Sequence, residues 1–363
     1  MIDRRVFRDI DWVLIGLALL NAVIGVVFIY SSSHFLPGSY HLKQLVWMAV
    51  GLLVMTLIAS VDYKFLLAYS PVFYVLTVAV LAGLLAWANL VAGTKSWFRT
   101  GLFQVQPSEA AKVVMILVLA RIFAGHRERF VPSRLVLLTL AVAFVPLALI
   151  TLQPDLGTVL TFLPLVGGAL VLAGLKKKTV ALFLVASIVV GVGGWNLVLR
   201  DYQKKRVVML LNPHQDARGA GYQVIQSRIA VGSGGFTGKG FMKGSQSQLR
   251  FLPARHTDFI FSVIGEELGF VGVLLIMVLY ALILARIFLT VPKARDRSGV
   301  YIVFLAGMLI AFQFLINIMM VVGLFPVTGV TLPFLSYGGS SLISSFAACG
   351  LVINVGMRRL ANV

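Results

Sequence analysis

The sequence predicts an all-α polytopic membrane protein with about ten transmembrane helices and one long loop outside the membrane. Of its 363 residues, 59% are hydrophobic and 12% are charged, whereas a soluble domain carries about 25% charged residues. Backbone groups in hydrocarbon must bond within their own element, and the sequence lacks the ten-residue alternation that is typical of a membrane barrel. The spans are therefore expected to be helices.

The candidate spans are apolar runs long enough to cross a bilayer. They comprise residues 12–30, 43–60, 70–92, 108–124, 134–151, 155–174, 179–198, 259–288, 299–323 and 337–356. The first is predicted to be uncleaved, because its apolar run is longer than the core of a signal peptide. The eighth is long enough to begin outside the hydrocarbon or to tilt strongly. We predict a single domain over residues 1–363, with a long outer loop at about 199–258.

Basic residues predict the orientation of the spans. With the N-terminus inside, the short outer loops hold only Lys43, Lys95, Arg99 and Lys112, and the short inner loops hold most of the other basic residues outside the long loop. The positive-inside rule then places both termini in the cytoplasm. The long loop at 199–258 also carries many basic residues, but loops of that length are largely exempt from the rule.

Composition excludes several classes of function. The net charge of +18 is explained more economically by an anionic lipid surface or a phosphate-bearing substrate than by nucleic acid. The single cysteine, Cys349, allows no intrachain disulfide and is expected to be a packing residue. No nucleotide-binding loop, metal-ligand spacing or serine-hydrolase elbow occurs. No organic cofactor and no ATP-driven pump are therefore expected.

Asp258 is the leading candidate for a catalytic residue. It lies where the long polar loop meets the eighth span, directly after Arg255, His256 and a threonine. Acids at membrane depth are costly and are functional candidates by default. A carboxylate there can act as a general base for an alcohol, and nearby cations can stabilise a departing phosphate. The alternative is that Asp258 caps the N-terminus of the eighth helix.

Two further acids, Glu266 and Glu267, follow about two helical turns later. One of them can face Asp258, or the two can form a buried structural pair with partners on other helices. Glycines at 265, 269 and 272 indicate close helix packing. The glycine-rich stretch at 232–240 favours tight turns and close backbone approach.

A second candidate cluster opens the fourth span. Ser108 can cap this helix, Glu109 suits its positive end, and Lys112 lies one turn later. Glu109 and Lys112 are expected at the level of Asp258 and can bind substrate. Trp97, in the preceding loop, can stack on a ligand, although an interfacial tryptophan is often a membrane anchor. Asp155 is predicted to cap the sixth span.

The stretch 336–341, with sequence SYGGSS, opens the last span. Backbone N–H groups at a glycine-rich helix start suit a phosphate, which makes Ser336, Gly338 and Gly339 candidate substrate contacts. A helix cap followed by a tight turn is the alternative.

Four long motifs resemble the SEDS family of shape, elongation, division and sporulation proteins, which includes RodA, FtsW and SpoVE. They are QPSEAAK at 106–112, QPDLGT at 153–158, LPARHTDFIFSVIGEELGF at 252–270 and NIMMVVGLFPVTGVTLPFLSYGGSS at 317–341. The resemblance covers nearly the whole chain, and segments 212–235 and 244–248 are most similar to the RodA branch. Ala254 stands where the family often has a glutamate, so any role of that glutamate is absent here.

The resemblance implies a peptidoglycan glycosyltransferase that polymerises lipid II on the outer face of the bacterial plasma membrane during cell-wall elongation and shape maintenance. It further implies a class B penicillin-binding protein and other elongation-complex proteins as partners. The family's essential acid falls on Asp258, and its functional tryptophan, glutamate and lysine fall on Trp97, Glu109 and Lys112.

An α-linked donor that gives a β-1,4 product implies inversion by direct displacement. Asp258 would deprotonate the acceptor 4-hydroxyl. Lys112, Arg255, His256 or a divalent cation, Mg²⁺ or Mn²⁺, would carry the charge of the pyrophosphate. Two rival hypotheses are a lipid II flippase and a scaffold that only recruits a penicillin-binding protein. The polar groups cluster at one face, which disfavours a path across the bilayer.

Overall fold

The computed structural model describes residues 10–87, 96–100, 103–176 and 219–358, together with residues 178, 179, 181, 204 and 208. Its helices are α1 (Trp12–Ser33), α2 (Tyr40–Ser60), α3 (Tyr63–Trp87), α4 (Pro107–Phe123), α5 (Ser133–Leu152), α6 (Leu156–Leu172), α7 (Ala220–Ser233), α8 (Ser245–Gln248), α9 (Ile260–Thr290), α10 (Arg297–Val321) and α11 (Gly339–Met357). Strands β1 (Phe98–Thr100) and β2 (Phe103–Val105) form an antiparallel hairpin before α4.

The all-α polytopic prediction is confirmed. Within the described residues, seven helices are long and apolar enough to cross a membrane, namely α1, α2, α3, α5, α9, α10 and α11. Helices α4 and α6, with 17 residues each, occupy the positions of the predicted fourth and sixth spans. Apart from residues 179, 181, 204 and 208, the predicted seventh span at 179–198 and the first part of the long loop lie outside the described residues, as does the basic N-terminus.

The last helix, α11, forms the centre of the bundle. It is buried along most of its length, whereas α2 and α3 leave most of their apolar side chains exposed or half-buried, as lipid-facing helices do. Small residues bring α11 and α2 together: a Cβ on Gly350 would lie 2.8 Å from the carbonyl oxygen of Met55. This close approach increases the packing contact that drives helix association in lipid.

The loops cluster at two ends of the bundle. At the end that carries Asp258, called here the Asp258 end, the guanidinium of Arg228 in α7 donates to the carbonyls of Val322 and Gly323. At the opposite end, called here the Asp296 end, Asp296 caps α10 by accepting from the N–H of Gly299 at 2.8 Å. Tyr63 at the start of α3 donates to the same carboxylate at 2.9 Å.

Asn354 ties α11 to α2 at the Asp296 end. Its amide nitrogen donates to the carbonyl oxygens of Ile58 and Val61, both at 2.5 Å. Its side-chain oxygen accepts from the backbone N–H of Tyr63 at 3.1 Å. One buried amide therefore pairs the backbone groups that α2 leaves open where it ends, as the absence of water in a membrane interior demands.

Helix α9 is broken at Gly269, which the apolar run alone does not predict. Gly269 has φ 65° and ψ −156°, outside the helical range. The N–H groups of Phe270 and Val271 bond instead to the carbonyls of Gly235 and Phe236, at 2.9 and 3.2 Å. The glycine-rich segment at 234–240 thus fills the break and satisfies its backbone groups.

The sequence predicted close helix packing at glycines 265, 269 and 272. This prediction holds for Gly265, because the nearest neighbours of a Cβ placed there include Val231 of α7. Gly269 serves a different purpose, because a Cβ there would collide with the backbone nitrogen of Gly238. Its positive φ also disfavours any other residue. The sequence therefore correctly indicated that another segment packs closely against Gly269. It did not indicate that this segment is a loop rather than a helix.

We predict that Gly269→Ala lowers the free energy of unfolding by about 2 to 5 kcal/mol, because backbone strain adds to overpacking. Thermal unfolding of the detergent-purified protein measures this loss. Gly167→Ala is the matched control, since Gly167 is an exposed residue inside α6 with no atom within 4 Å of an added Cβ. A loss at Gly269 no larger than at Gly167 would contradict this explanation of the break.

Candidate active site

Asp258 lies in the turn that precedes α9 and is half-buried. The N-cap residue of α9 is Phe259, so Asp258 stands one position earlier than a cap. The alternative that Asp258 caps this helix is therefore wrong. Because the turn residues before the helix have non-helical backbone, their carbonyl groups must find partners elsewhere in the bundle.

Three consecutive carbonyls in this turn are paired by residues from two other segments. The carbonyl of His256 accepts from the N–H of Tyr337 at 2.9 Å. That of Thr257 accepts from the hydroxyl of Ser336 at 2.6 Å. That of Asp258 accepts from the side-chain amide of Asn317 at 2.9 Å. The backbone that carries the candidate base is thus held at each residue.

Gly329 forms the wall beside the Asp258 carboxylate. A Cβ on Gly329 would lie 3.7 Å from Oδ2 of Asp258. Gly329 has φ +74°, a conformation that favours glycine. The loop between α10 and α11 therefore approaches the carboxylate with backbone rather than with a bulky side chain.

His256 is a neutral group in this setting. Its ring lies against Tyr40 and Tyr337, with centroid separations of 4.8 and 5.7 Å. Burial, and then the charge of Arg255, lowers the pKa of His256 to about 4. Nδ1 is buried and has no hydrogen-bond partner among the described residues. At neutral pH the ring can contact a substrate through hydrogen bonding but not through positive charge.

Arg255 is directed to the end of α1. Its side chain is 5% exposed, and Nε donates to the carbonyl of Ser32 at 2.5 Å. Gln248 and Arg250 bond the carbonyls of Ser31 and Phe35 at 3.1 and 3.0 Å. Burial, and then the charge of Arg250, lowers the pKa of Arg255. These side chains fasten the loop to α1, and the predicted contact of Arg255 with a pyrophosphate remains a prediction.

Glu109 and Lys112 form a buried ion pair in the first turns of α4. Lys112 Nζ lies 2.7 Å from Glu109 Oε1, and the two residues are 1% and 6% exposed. Ser344 of α11 donates to the other carboxylate oxygen at 2.6 Å. The helix begins with Gln106 as N-cap and Pro107 in the first turn, a favoured place for proline. The prediction that Ser108 caps α4 is therefore wrong.

The stretch 336–341 joins the two candidate clusters. Ser336 and Tyr337 hold the turn before α9, and the hydroxyl of Ser340 accepts from the N–H of Gln106 at 2.9 Å. Gly338 is the N-cap of α11, and a Cβ on Gly339 would collide with the ring of Trp47. This geometry agrees with the alternative of a cap and tight turn. Phosphate binding by Ser336, Gly338 and Gly339 stays a prediction.

The remaining predicted acids have structural partners. Glu266 is buried and lies 2.8 Å from Lys239 Nζ and from the N–H of Gln246. Glu267 accepts from the hydroxyl of Ser31 on α1 at 2.6 Å. The alternative that these two are a buried structural pair with partners on other elements is confirmed. They fasten the long loop to α9 and α1.

Two other predicted residues lie near the same end. Asp155 caps α6 by accepting from the N–H of Thr158 at 3.1 Å, as predicted. It also accepts from Gln106 at 2.7 Å. Trp97 is half-buried and directly precedes β1, and its contact with a ligand stays a prediction.

Sequence reasoning did not single out Asn317, Gly329, Tyr40 and Tyr337. Asn317 had a usable signal, because a buried polar residue inside an apolar span must have a partner and is a functional candidate. The other three had none, since their importance depends on which segments meet. In the described part of the chain, no group of three or more His, Cys, Asp and Glu side chains is placed to hold a metal ion.

The family resemblance is confirmed by comparison with known proteins. Residues 11–360 match the model of the FtsW/RodA/SpoVE family, described as a cell cycle protein. The chain is 40% identical to the peptidoglycan glycosyltransferase MrdB of Escherichia coli K12, over 98% of this chain and 95% of that protein.

Two solved structures have the same fold. One is a chain of a peptidoglycan synthase complex, with a TM-score of 0.82, 34% identity and coverage of 97% of this chain and 99% of that one. The other is the rod shape determining protein RodA of Thermus thermophilus, with a TM-score of 0.73, 29% identity and coverage of 97% and 98%. The motifs, the helical architecture and these full-length matches together establish that the chain belongs to the FtsW/RodA/SpoVE family of cell cycle proteins.

Proposed function

We propose that this chain is a peptidoglycan glycosyltransferase that polymerises lipid II. The observation that carries the proposal is 40% identity, over 98% of the chain, to a relative that bears this activity in its name. The reaction joins the anomeric carbon of a lipid-linked donor strand to the 4-hydroxyl of the acceptor's N-acetylglucosamine. Undecaprenyl pyrophosphate is the leaving group.

Asp258 is the proposed general base. The carboxylate is half-buried, and the residue of the neighbouring loop beside it, Gly329, has no side chain. The carboxylate accepts the proton of the acceptor hydroxyl while that oxygen forms a bond to the anomeric carbon. The bond from that carbon to the pyrophosphate oxygen breaks on the opposite face, which inverts the configuration. A single positioned base of this kind contributes about 10²- to 10⁴-fold to a rate.

The leaving pyrophosphate needs positive charge. Lys112 is the proposed protein cation, released from Glu109 towards the substrate, and His256 is proposed to donate or accept a hydrogen bond as a neutral ring. A divalent cation, Mg²⁺ or Mn²⁺, would be held chiefly by the oxygens of the substrate pyrophosphate and by water, which leaves Asp258 free to act as the base. Such an ion would stabilise the departing charge.

We also propose the sidedness and a partner. Exposed basic residues at the Asp296 end, among them Arg127, Arg129, Lys176 and Lys293, support a cytoplasmic position for that end. The Asp258 end then faces outwards, where lipid II is polymerised. The structural likeness to a chain of a peptidoglycan synthase complex supports a class B penicillin-binding protein as the partner.

Asp258→Asn is expected to lower the rate of lipid II polymerisation by about 100-fold or more, because the amide cannot accept the proton. The assay uses purified protein with lipid II, with and without the penicillin-binding protein and Mg²⁺ or Mn²⁺. Asp296→Asn, which alters a helix cap at the opposite end, should retain activity. An inactive wild type under all conditions would contradict the proposal and favour transport or scaffolding, whereas full activity of Asp258→Asn would move the base elsewhere.

Glu109→Gln and Lys112→Met are each expected to cost about 3 to 5 kcal/mol of stability, because each leaves a buried charge unpaired. The double variant should regain most of that stability, since no charge then remains. It should not regain polymerisation if Lys112 carries the pyrophosphate charge. Thermal unfolding and the polymerisation assay measure both effects. Recovery of activity in the double variant would assign the pair to folding alone.

His256 is expected to lower the free energy of unfolding as the pH falls. The pKa of His256 is about 4 in the folded chain and about 6.5 when unfolded, so the unfolded chain binds the proton first. This contribution is complete above about pH 6.5 and is lost as the pH falls towards 4. Thermal unfolding at pH 7.5 and pH 5 should therefore show a smaller loss for His256→Gln than for wild type. Equal losses would mean that the ring is not held neutral.

A further inference from the structure

Asn317 joins two backbone segments at the Asp258 end. It lies in α10 and is 0% exposed. Its amide nitrogen donates to the carbonyl oxygen of Asp258 at 2.9 Å and to that of Val330 at 2.8 Å. A polar side chain inside an otherwise apolar helix is costly unless it is paired, and both amide hydrogens are used here.

The two carbonyls belong to the two sides of the same small space. The first carbonyl is the backbone carbonyl of Asp258, the residue whose side chain is the candidate base. The other follows Gly329, whose backbone lies beside Oδ2 of that carboxylate. The amide of Asn317 therefore links the backbone of the candidate base directly to the loop segment beside its carboxylate. The other two carbonyls of the turn, at His256 and Thr257, accept from Tyr337 and Ser336. The hydroxyl of Ser336 also accepts from the N–H of Leu332 at 2.8 Å, so it supports the same junction two residues beyond Val330, whereas Asn317 bonds the carbonyl of Asp258 itself.

We propose that Asn317 is a positioning residue for Asp258. By fixing the backbone at Asp258 and at Val330 together, it sets the direction of the carboxylate towards the acceptor hydroxyl. The inference rests on the proposed function, in which Asp258 is the base, and it assigns no substrate contact to Asn317. Without the amide, two buried carbonyls lose their donor and the two segments can separate. A misplacement of about 1 Å can lower a catalysed rate by about 100-fold.

Asn354 provides a matched control, because it makes the same kind of clamp at the other end of the bundle. It is also 0% exposed, and its amide pairs the carbonyls of Ile58 and Val61. Truncation at either position leaves two carbonyls without their donor, and truncation at Asn354 also removes the acceptor of the Tyr63 N–H and one bond from Arg358. Asn354→Ala should therefore cost at least as much stability as Asn317→Ala, and the two positions differ in their distance from Asp258.

The experiment compares wild type, Asn317→Ala, Asn354→Ala and Asp258→Asn by thermal unfolding and by polymerisation of purified lipid II. Both asparagine variants should unfold at a lower temperature. We expect kcat to fall about 10- to 100-fold in Asn317→Ala and less than about 3-fold in Asn354→Ala. The KM for lipid II should stay within about 2-fold of wild type in both, because neither residue contacts the substrate.

Several results would overturn the inference. One is a kcat of Asn317→Ala no lower than that of Asn354→Ala, and another is a loss confined to KM. If Asn317→Ala does not fold, Asn317→Ser is used, since its hydroxyl can serve one carbonyl and an intermediate loss of kcat is expected. An active wild type, together with a larger fall of kcat in Asn317→Ala than in Asn354→Ala, supports the inference. An inactive wild type contradicts the proposed function, and a fully active Asp258→Asn contradicts the assignment of Asp258 as its base, so these failures are distinguishable from a failure of the inference about Asn317.

Discussion

The pairing of backbone groups where helices end is the constraint on which this structure depends. A membrane interior offers no water to bond a free carbonyl or N–H, so each turn near it needs a donor from elsewhere. At the Asp258 end, Tyr337, Ser336 and Asn317 supply donors to three successive carbonyls. The same requirement that permits folding in lipid thereby holds the candidate catalytic residue in one orientation.

The break in α9 follows the same rule. An interrupted helix leaves N–H groups and carbonyls open, and the segment 234–240 bonds to them with its own backbone. Glycine makes this possible, because Gly269 adopts a positive φ and allows contact with Gly238. Lys239 then reaches Glu266 at 2.8 Å. The long loop is consequently fastened to the helix that begins at the candidate active site.

Buried charged side chains, like buried backbone groups, are paired inside the bundle. The carboxylates of Glu109 and Glu266 each lie beside a lysine amine, because an unpaired buried charge is strongly destabilising. His256 avoids the problem by remaining neutral, as its lowered pKa indicates. The buried charges near the candidate active site are therefore largely balanced within the protein itself.

The sequence by itself determined the class of fold, the positions of nine predicted spans at which the structure describes helices, the cap at Asp155 and the family. Run length and composition suffice for these, because the bilayer imposes a fixed length and polarity on each span. Tertiary structure decided the break at Gly269, the N-cap of α4 at Gln106 and the neutral state of His256. It also brought Asn317, Gly329 and Ser336 together around Asp258 and the turn that carries it. These features depend on which distant backbone groups meet, and a local pattern carries no information about partners that lie about 60 to 80 residues away in the chain.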